Sequence, residues 1–253
     1  MSKNTEKKLS VLLFDLGFTL INFDGDFHKA MRESYTVLAD ALADQGLSFE
    51  KEKFAYKYAE IISEYYRNRE IDLIERPVEE SLRKTLSQFE INHVTEPELQ
   101  KALEAMFIFM ESWWKIEPDS HNVLSKLKQS GYRLGIISNA SNSPDLNRLV
   151  DNHDLRKYFE IIVISGEEGI RKPDQRIFLN TLEKMGEKPE NAAMIGDTLT
   201  ADILGANLSG IRSIWITRRA ARPENEKAKG VVKPDHSIPD LTSLIKLVEE
   251  INQ

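Results

Sequence analysis

The chain has 253 residues, of which 41% are hydrophobic and 30% charged, a balance typical of a folded globular protein and not of a disordered one. Its formal net charge is -7, so the chain as a whole has no electrostatic attraction for nucleic acid or for an anionic membrane. It contains no cysteine, which excludes disulfides, thiolate nucleophiles and cysteine-ligated metal sites.

The first residues, 1–8, are polar, and Asp15 interrupts the apolar run that follows, so the segment lacks the hydrophobic stretch of a signal peptide. No apolar stretch approaches the roughly 20 residues that a membrane-spanning helix requires. We therefore expect a cytoplasmic protein that binds neither membrane nor nucleic acid. Nothing in the sequence specifies an oligomeric state.

Five short apolar runs have the length and composition of buried strands. Helical patterns lie between them, such as Asn122–Gln129 and Asp174–Met185, each followed closely by a glycine that can end a helix. This alternation predicts an α/β fold with a doubly wound, Rossmann-like parallel sheet. The predicted strands are Val11–Phe14, Leu134–Ile137, Ile161–Ile164, Ala192–Ile195 and Ile211–Thr217.

The alternation stops between the first two of these runs. Apolar residues there recur at spacings of three or four, which predicts helices. We therefore predict an α/β core domain formed by residues 1–24 and 116–253, with residues 25–115 inserted as a helical cap domain. The first series of apolar residues in the insertion is Phe27, Met31, Tyr35, Leu38 and Leu42.

Polar residues stand at or soon after the ends of the first four predicted strands. Each of them alone is typical of a turn, a helix N-cap or a solvated surface. Parallel strands, however, bring their carboxyl ends to one edge of the sheet, where ligands bind, so we expect these side chains to converge. They are Asp15, Ser138, Asn139, Lys172, Asp197 and Asp202.

In order and spacing, the four segments resemble the motifs of the haloacid dehalogenase-like hydrolase superfamily, over residues 11–25, 118–217 and the tail 234–241. The resemblance implies a phosphatase with Asp15 as nucleophile, forming an aspartyl-phosphate from a small phosphorylated metabolite. Lys172 would offset the repulsion between carboxylate and phosphate, and Ser138 and the backbone amide of Asn139 would bind the phosphoryl group. Mg²⁺ would be the cofactor, with ligands implied from Asp15, the backbone carbonyl of Gly17, Asp197 and Asp202.

Gly17 departs from this family pattern. Phosphatases of the superfamily usually have an aspartate at that position, which acts as the general acid and base, and glycine cannot transfer a proton. Asp24 and Asp26 are conceivable substitutes, although turn residues are the simpler interpretation. Two alternatives stay open: a metal-independent dehalogenase, since those relatives also lack this aspartate, and a catalytically weak or inactive binding protein with the same fold.

Two further groups of residues are interpreted as structural. Arg218, Arg219 and Arg222 form a compact basic cluster, but acidic residues adjoin it, so a solvated surface is favoured over a nucleic-acid patch. Trp113 and Trp114 have the position and character of aromatic residues in the interior of the helical insertion.

Overall fold

The structure, a computed structural model, describes residues 8–253. Six strands form one parallel sheet in the order β5-β4-β1-β6-β7-β8, and β2 pairs with β3 in a separate antiparallel ribbon. The predicted α/β class is therefore confirmed. The strands of this part of the chain are β1 Val11–Phe14, β2 Ile21–Phe23, β3 Trp114–Ile116, β4 Arg133–Ser138, β5 Ile161–Ile164, β6 Ala192–Gly196, β7 Arg212–Ile216 and β8 His236–Ile238.

Helices flank the sheet and fill the insertion between β2 and β3. A π-helical turn, Leu199–Ile203, leads directly into α9. The α-helices are α1 Phe27–Ala43, α2 Lys51–Asp72, α3 Val78–Gln88, α4 Glu96–Glu111, α5 Ser120–Gln129, α6 Ser143–Asn152, α7 Ser165–Glu168, α8 Gln175–Lys184, α9 Leu204–Leu208, α10 Pro223–Glu226 and α11 Thr242–Asn252. Among the described residues, no helix is both long and apolar enough to cross a membrane.

The central strand β1 explains why the sheet has helices on both faces. All four of its residues are buried, and it pairs with β4 on one side and β6 on the other. Successive side chains of a strand point to opposite faces. Accordingly, Leu12 and Phe14 belong to one apolar cluster, whereas Val11 and Leu13 belong to another.

The helices α1–α4 and the loops that join them, residues 27–111, which we call the cap, have an apolar interior of their own. Tyr35, Leu38, Phe54, Leu82 and Leu103 are among the buried residues of this cluster, all of whose buried members lie between positions 35 and 106. We call the remainder of the described chain, apart from the β2–β3 ribbon, the core. The ribbon connects core and cap.

Three of the strands have no counterpart among the predicted runs. The strands β2, β3 and β8 contain only three residues each, and their burial alternates instead of being continuous. Strands this short give no apolar run or period long enough to distinguish them from loops. Their positions depend on pairing with distant segments, such as β8 with β7.

Candidate active site

Asp15 and Lys172 form the centre of the site. Asp15 is the first residue after β1, and its backbone amide donates to the carbonyl of Ile195 at 2.9 Å, which continues the sheet. Lys172 Nζ donates to Asp15 Oδ1, to Asp202 Oδ1 and to the carbonyl of Ile137, each at 2.7 Å. Its side chain is only 1% exposed, so these three acceptors occupy all the N–H groups of a lysine that has no contact with bulk water.

Burial alone would lower the pKa of Lys172, because desolvation disfavours the charged form. The negative charges of Asp15 and Asp202 outweigh this effect and raise the pKa above its ordinary value. Lys172 is therefore a cation at neutral pH, held against the Asp15 carboxylate.

Asn139 has a structural part in this arrangement. Its Oδ1 accepts from the backbone amide of Lys172 at 2.9 Å, and its Nδ2 donates to the carbonyl of Lys172 at 3.0 Å. The carboxamide thus joins the loop after β4 to the segment that carries Lys172. Both polar atoms of the Asn139 carboxamide are therefore hydrogen-bonded to the neighbouring main chain. Ser138, at the end of β4, is buried beside it.

Three carboxylates converge at the same edge of the sheet. One oxygen from each of Asp15, Asp197 and Asp202 lies within 4.8 Å of the others. Burial and the charges of Asp15 and Asp202 raise the pKa of Asp197 to about 7. Burial raises the pKa of Asp202 to about 6, against the opposing charge of Lys172. The cluster thus holds more negative charge than its surroundings readily accommodate.

The π-helical turn orients Asp202. Its Oδ2 accepts from the backbone amide of Thr198 at 3.0 Å, while Oδ1 faces Lys172. A Cβ placed on Gly196 would lie 2.3 Å from Asp202 Cγ, closer than atoms can pack. Glycine at position 196 is therefore required for Asp202 to approach the end of β6.

The donor set fits a hard divalent cation such as Mg²⁺. Carboxylate oxygens are its preferred protein ligands, and a divalent charge would offset the excess negative charge of the three acids. The observation that supports this fit is the convergence of three carboxylate oxygens within 4.8 Å of one another, and the raised pKa of Asp197 agrees with it.

Gly17 lies against an indole ring. A Cβ at position 17 would be 3.2 Å from Trp114 Cη2, tighter than an ordinary contact. Trp114 also packs edge-on against Phe18, with ring centroids 5.2 Å apart. Trp114 belongs to β3 and packs with Ala30 and Met110 of the cap helices, as its assignment to the insertion implies, and it also occupies the space beside Gly17. Asp26 caps α1 by accepting from the amide of Lys29, as a turn residue does.

The basic cluster is not a solvated surface, and that interpretation was wrong. Arg222 Nη1 lies 2.7 Å from Asp197 Oδ2, and its guanidinium carbon is 3.7 Å from the centroid of the Phe18 ring. Arg219 donates to the carbonyl of Phe18 at 3.1 Å and pairs with Glu117, which also pairs with Arg218. The cluster follows β7, whose carboxyl end lies on the same edge of the sheet as Asp15. Its position directly after a predicted strand is the feature of the sequence that could have indicated its proximity to the site.

Comparisons with known proteins define the class. Residues 9–210 match the model of the haloacid dehalogenase-like hydrolases. Over 86% of this chain, it is 31% identical to a glyceraldehyde 3-phosphate phosphatase of Methanothermobacter thermautotrophicus, 90% of which is covered. A phosphoserine phosphatase of Thermus thermophilus is 35% identical, but the match spans only 57% of this chain and 56% of that enzyme.

A 2-haloacid dehalogenase of Pseudomonas syringae pv. Tomato DC3000 has a similar solved structure. The TM-score is 0.67 at 23% identity, with 96% of this chain and 99% of the other covered, which shows a common fold. The protein is a hydrolase with a parallel α/β core. It belongs to the haloacid dehalogenase-like hydrolase family, as the sequence motifs predicted.

Proposed function

We propose that this hydrolase is a Mg²⁺-dependent phosphatase that acts on a small phosphorylated metabolite through an aspartyl-phosphate on Asp15. The observation that carries the proposal is the buried cluster in which Lys172 pairs with Asp15 beside the acids Asp197 and Asp202. The phosphatase activities named for the two relatives agree with it. We also propose the division into a core of residues 1–24 and 116–253 and a cap of residues 25–115, supported by the separate apolar interior of α1–α4.

The chemistry consists of two displacements at phosphorus. A carboxylate oxygen of Asp15 attacks, the ester P–O bond breaks, and the leaving alkoxide takes a proton from water. Water then attacks the phosphorus of the aspartyl-phosphate, which releases inorganic phosphate and restores the carboxylate. Lys172 reduces the repulsion between Asp15 and the incoming phosphate dianion, while the Ser138 hydroxyl and the Asn139 backbone amide bind phosphoryl oxygens.

Asp15, Asp197 and Asp202, with the backbone carbonyl of Gly17, would hold the metal. When bound, Mg²⁺ neutralises charge on the phosphoryl oxygens in the transition state. The same acids argue against the metal-independent dehalogenase, which has no need of two further carboxylates beside its nucleophile.

Because position 17 has no acidic side chain, the rate of this enzyme should depend strongly on the leaving group of the substrate. General acid catalysis contributes about 10²–10⁴-fold, and position 17 supplies none. We therefore propose that this enzyme prefers phosphates whose leaving groups need little protonation, and that its aspartyl-phosphate is long-lived because no residue at position 17 activates the attacking water.

A metabolite panel tests the proposal. Phosphate release is measured with Mg²⁺, with a chelator, and with the Asp15→Asn variant. We expect release by the wild-type enzyme with Mg²⁺ and loss of release in the other two conditions. Release that survives in Asp15→Asn would contradict the nucleophile assignment.

The same samples are tested for halide release from 2-haloacids without metal. Halide release would establish the dehalogenase alternative. Absence of both activities across the panel would favour a binding protein with an inactive site.

A further inference from the structure

A cap residue outside the catalytic motifs reaches into the core close to the phosphoryl site. Glu75 follows α2, and its side chain is fully shielded from solvent. A buried carboxylate is costly unless its oxygens are hydrogen-bonded and its charge is paired. The surroundings of Glu75 therefore show what it holds together.

The backbone on either side of Glu75 pairs with the loop that precedes Lys172. The Glu75 amide donates to the carbonyl of Gly169 at 3.1 Å, and the Arg171 amide donates to the carbonyl of Leu73 at 3.1 Å. These bonds form an antiparallel bridge between a cap segment and a core segment. The core segment ends next to the lysine that contacts Asp15.

The two carboxylate oxygens of Glu75 face different parts of the molecule. Oε1 accepts from Tyr65 Oη and, at 2.8 Å, from Arg69 Nη1, both on the cap helix α2. Oε2 accepts from Ser165 Oγ at 3.0 Å and lies 3.7 Å from Arg171 Nε, both in the core. One carboxylate thus bridges the cap and the core.

Ser165 extends this bridge to the loop after β4, which carries Asn139. Its Oγ accepts from the backbone amide of Ala140 at 2.9 Å, the residue after Asn139. Asn139 in turn holds the main chain of Lys172 through two hydrogen bonds. Glu75 is therefore connected, by two short routes, to the loop that bears Ser138 and Asn139 and to the loop that bears Lys172.

We propose that Glu75 is a positioning residue: it latches the cap onto the core and, in the latched state, orders both phosphoryl-binding loops. Its effect on turnover rests on the proposed phosphatase function, whereas its effect on cap position does not. A misplacement of about 1 Å can cost a reaction about 10²-fold, so loss of the latch is expected to reduce kcat more than it raises KM.

Cap position is measured by energy transfer between two dyes. Because the chain has no cysteine, Tyr56→Cys in the cap and Leu208→Cys in the core provide two specific labelling sites, 69% and 58% exposed before substitution. Glu75→Ala should give a broader and shifted distance distribution than the parent protein. Glu80→Ala, which removes an exposed acid of the same cap, should not.

Kinetics and thermal melting are measured on the same proteins. Glu75→Ala should lower kcat for phosphate release by about 10²-fold at temperatures where the protein is folded. Glu75→Gln, which can still accept from Arg69 and donate to Ser165, should recover most of the rate. Ser165→Ala removes the route to Ala140 and one core contact of Glu75, but it leaves the Arg171 contact and the backbone bridge in place. It should therefore lower kcat while leaving the cap–core distance close to that of the parent.

A merely structural role gives a different result. A lower melting temperature in Glu75→Ala with an unchanged distance distribution would overturn the latch, and an unchanged kcat in both Glu75→Ala and Ser165→Ala would overturn the ordering of the loops. If the wild-type enzyme releases no phosphate from any substrate, the proposed function fails, and the distance measurement still decides whether Glu75 latches the cap.

Discussion

Lys172 is a fully buried cation shared by two carboxylates. Because a buried ion pair is costly to break from one side, Lys172→Met should lower the free energy of unfolding by about 3–5 kcal/mol at neutral pH, measured without added metal. The loss should shrink as pH falls below about 6, because burial raises the pKa of Asp202 to about 6 and its carboxylate becomes neutral there. Phosphate release should also fall, because nothing then offsets the charge of Asp15 as phosphate approaches.

Lys184→Met is the matched control. This lysine pairs with Glu168 on the surface, with 49% of its side chain exposed. The Lys184→Met substitution should change the free energy of unfolding by no more than about 0.5 kcal/mol. An equal loss for both variants would contradict the central position of Lys172.

Gly17 and Trp114 must be considered together. Gly17→Asp alone restores the residue type that transfers protons, but its Cβ meets the indole ring at 3.2 Å. We expect the single variant to gain little activity, whereas Gly17→Asp combined with Trp114→Leu should accelerate esters with poor leaving groups by up to about 10²-fold. The measurement is phosphate release from aryl and alkyl phosphates, with Trp114→Leu as the control. A full gain from Gly17→Asp alone would contradict the steric explanation.

The contact between α4 of the cap and α6 of the core contains an acid whose charge is unfavourable. Burial, and then the neighbouring Glu111, raise the pKa of Asp145 well above its ordinary value of 3.8. The folded protein therefore keeps a proton that the unfolded chain releases, so this carboxyl group makes the protein less stable as pH rises through that interval. Arg148, which pairs with Glu111 at 2.6 Å, compensates only in part.

Asp145→Asn should accordingly gain stability relative to the wild type as pH rises above 3.8, the ordinary pKa of aspartate, since asparagine does not titrate. Denaturant unfolding at several pH values measures this. Asp151→Asn, on the same helix, should show no such gain above the ordinary aspartate pKa of 3.8, because Arg156 lowers the pKa of Asp151 and its carboxyl group is then ionised in both the folded and the unfolded state. A stability difference for Asp145→Asn that does not vary with pH would contradict the prediction.

At the scale of the whole molecule, a bound metal should connect stability to the active site. A ligand that binds only the folded state at one hundred times its Kd adds about 2.7 kcal/mol to the free energy of unfolding. We expect Mg²⁺ to raise the melting temperature of the wild type and to raise that of Asp197→Asn much less. Without added metal, Asp197→Asn should be no less stable than the wild type, because the substitution removes one of three crowded carboxylates. Equal stabilisation of both proteins would place the metal elsewhere.

The alternation of strands and helices could be predicted because buried parallel strands are continuous apolar runs, and their ends mark one edge of the sheet. Val11–Phe14 and Ala192–Ile195 were located in this way to within a residue of β1 and β6. The contact between Asp15 and Lys172, 157 positions apart, agrees with the expected meeting of strand ends, and the resemblance to the family motifs was what singled out Lys172. The short strands and the contacts of the cap could not be predicted, because no local pattern specifies them.

The sequence by itself determined the fold class, through the apolar periodicity of strands and helices, and the resemblance of its motifs identified the family and the acids that meet at the sheet edge. Only the tertiary structure decided what surrounds them. It placed Arg222 on Asp197, Trp114 beside Gly17 and Glu75 between cap and core. The reason is physical: such partners are chosen by packing and by charge compensation across distant segments, and an isolated arginine, tryptophan or glutamate has the same local appearance whether it faces solvent or an active site.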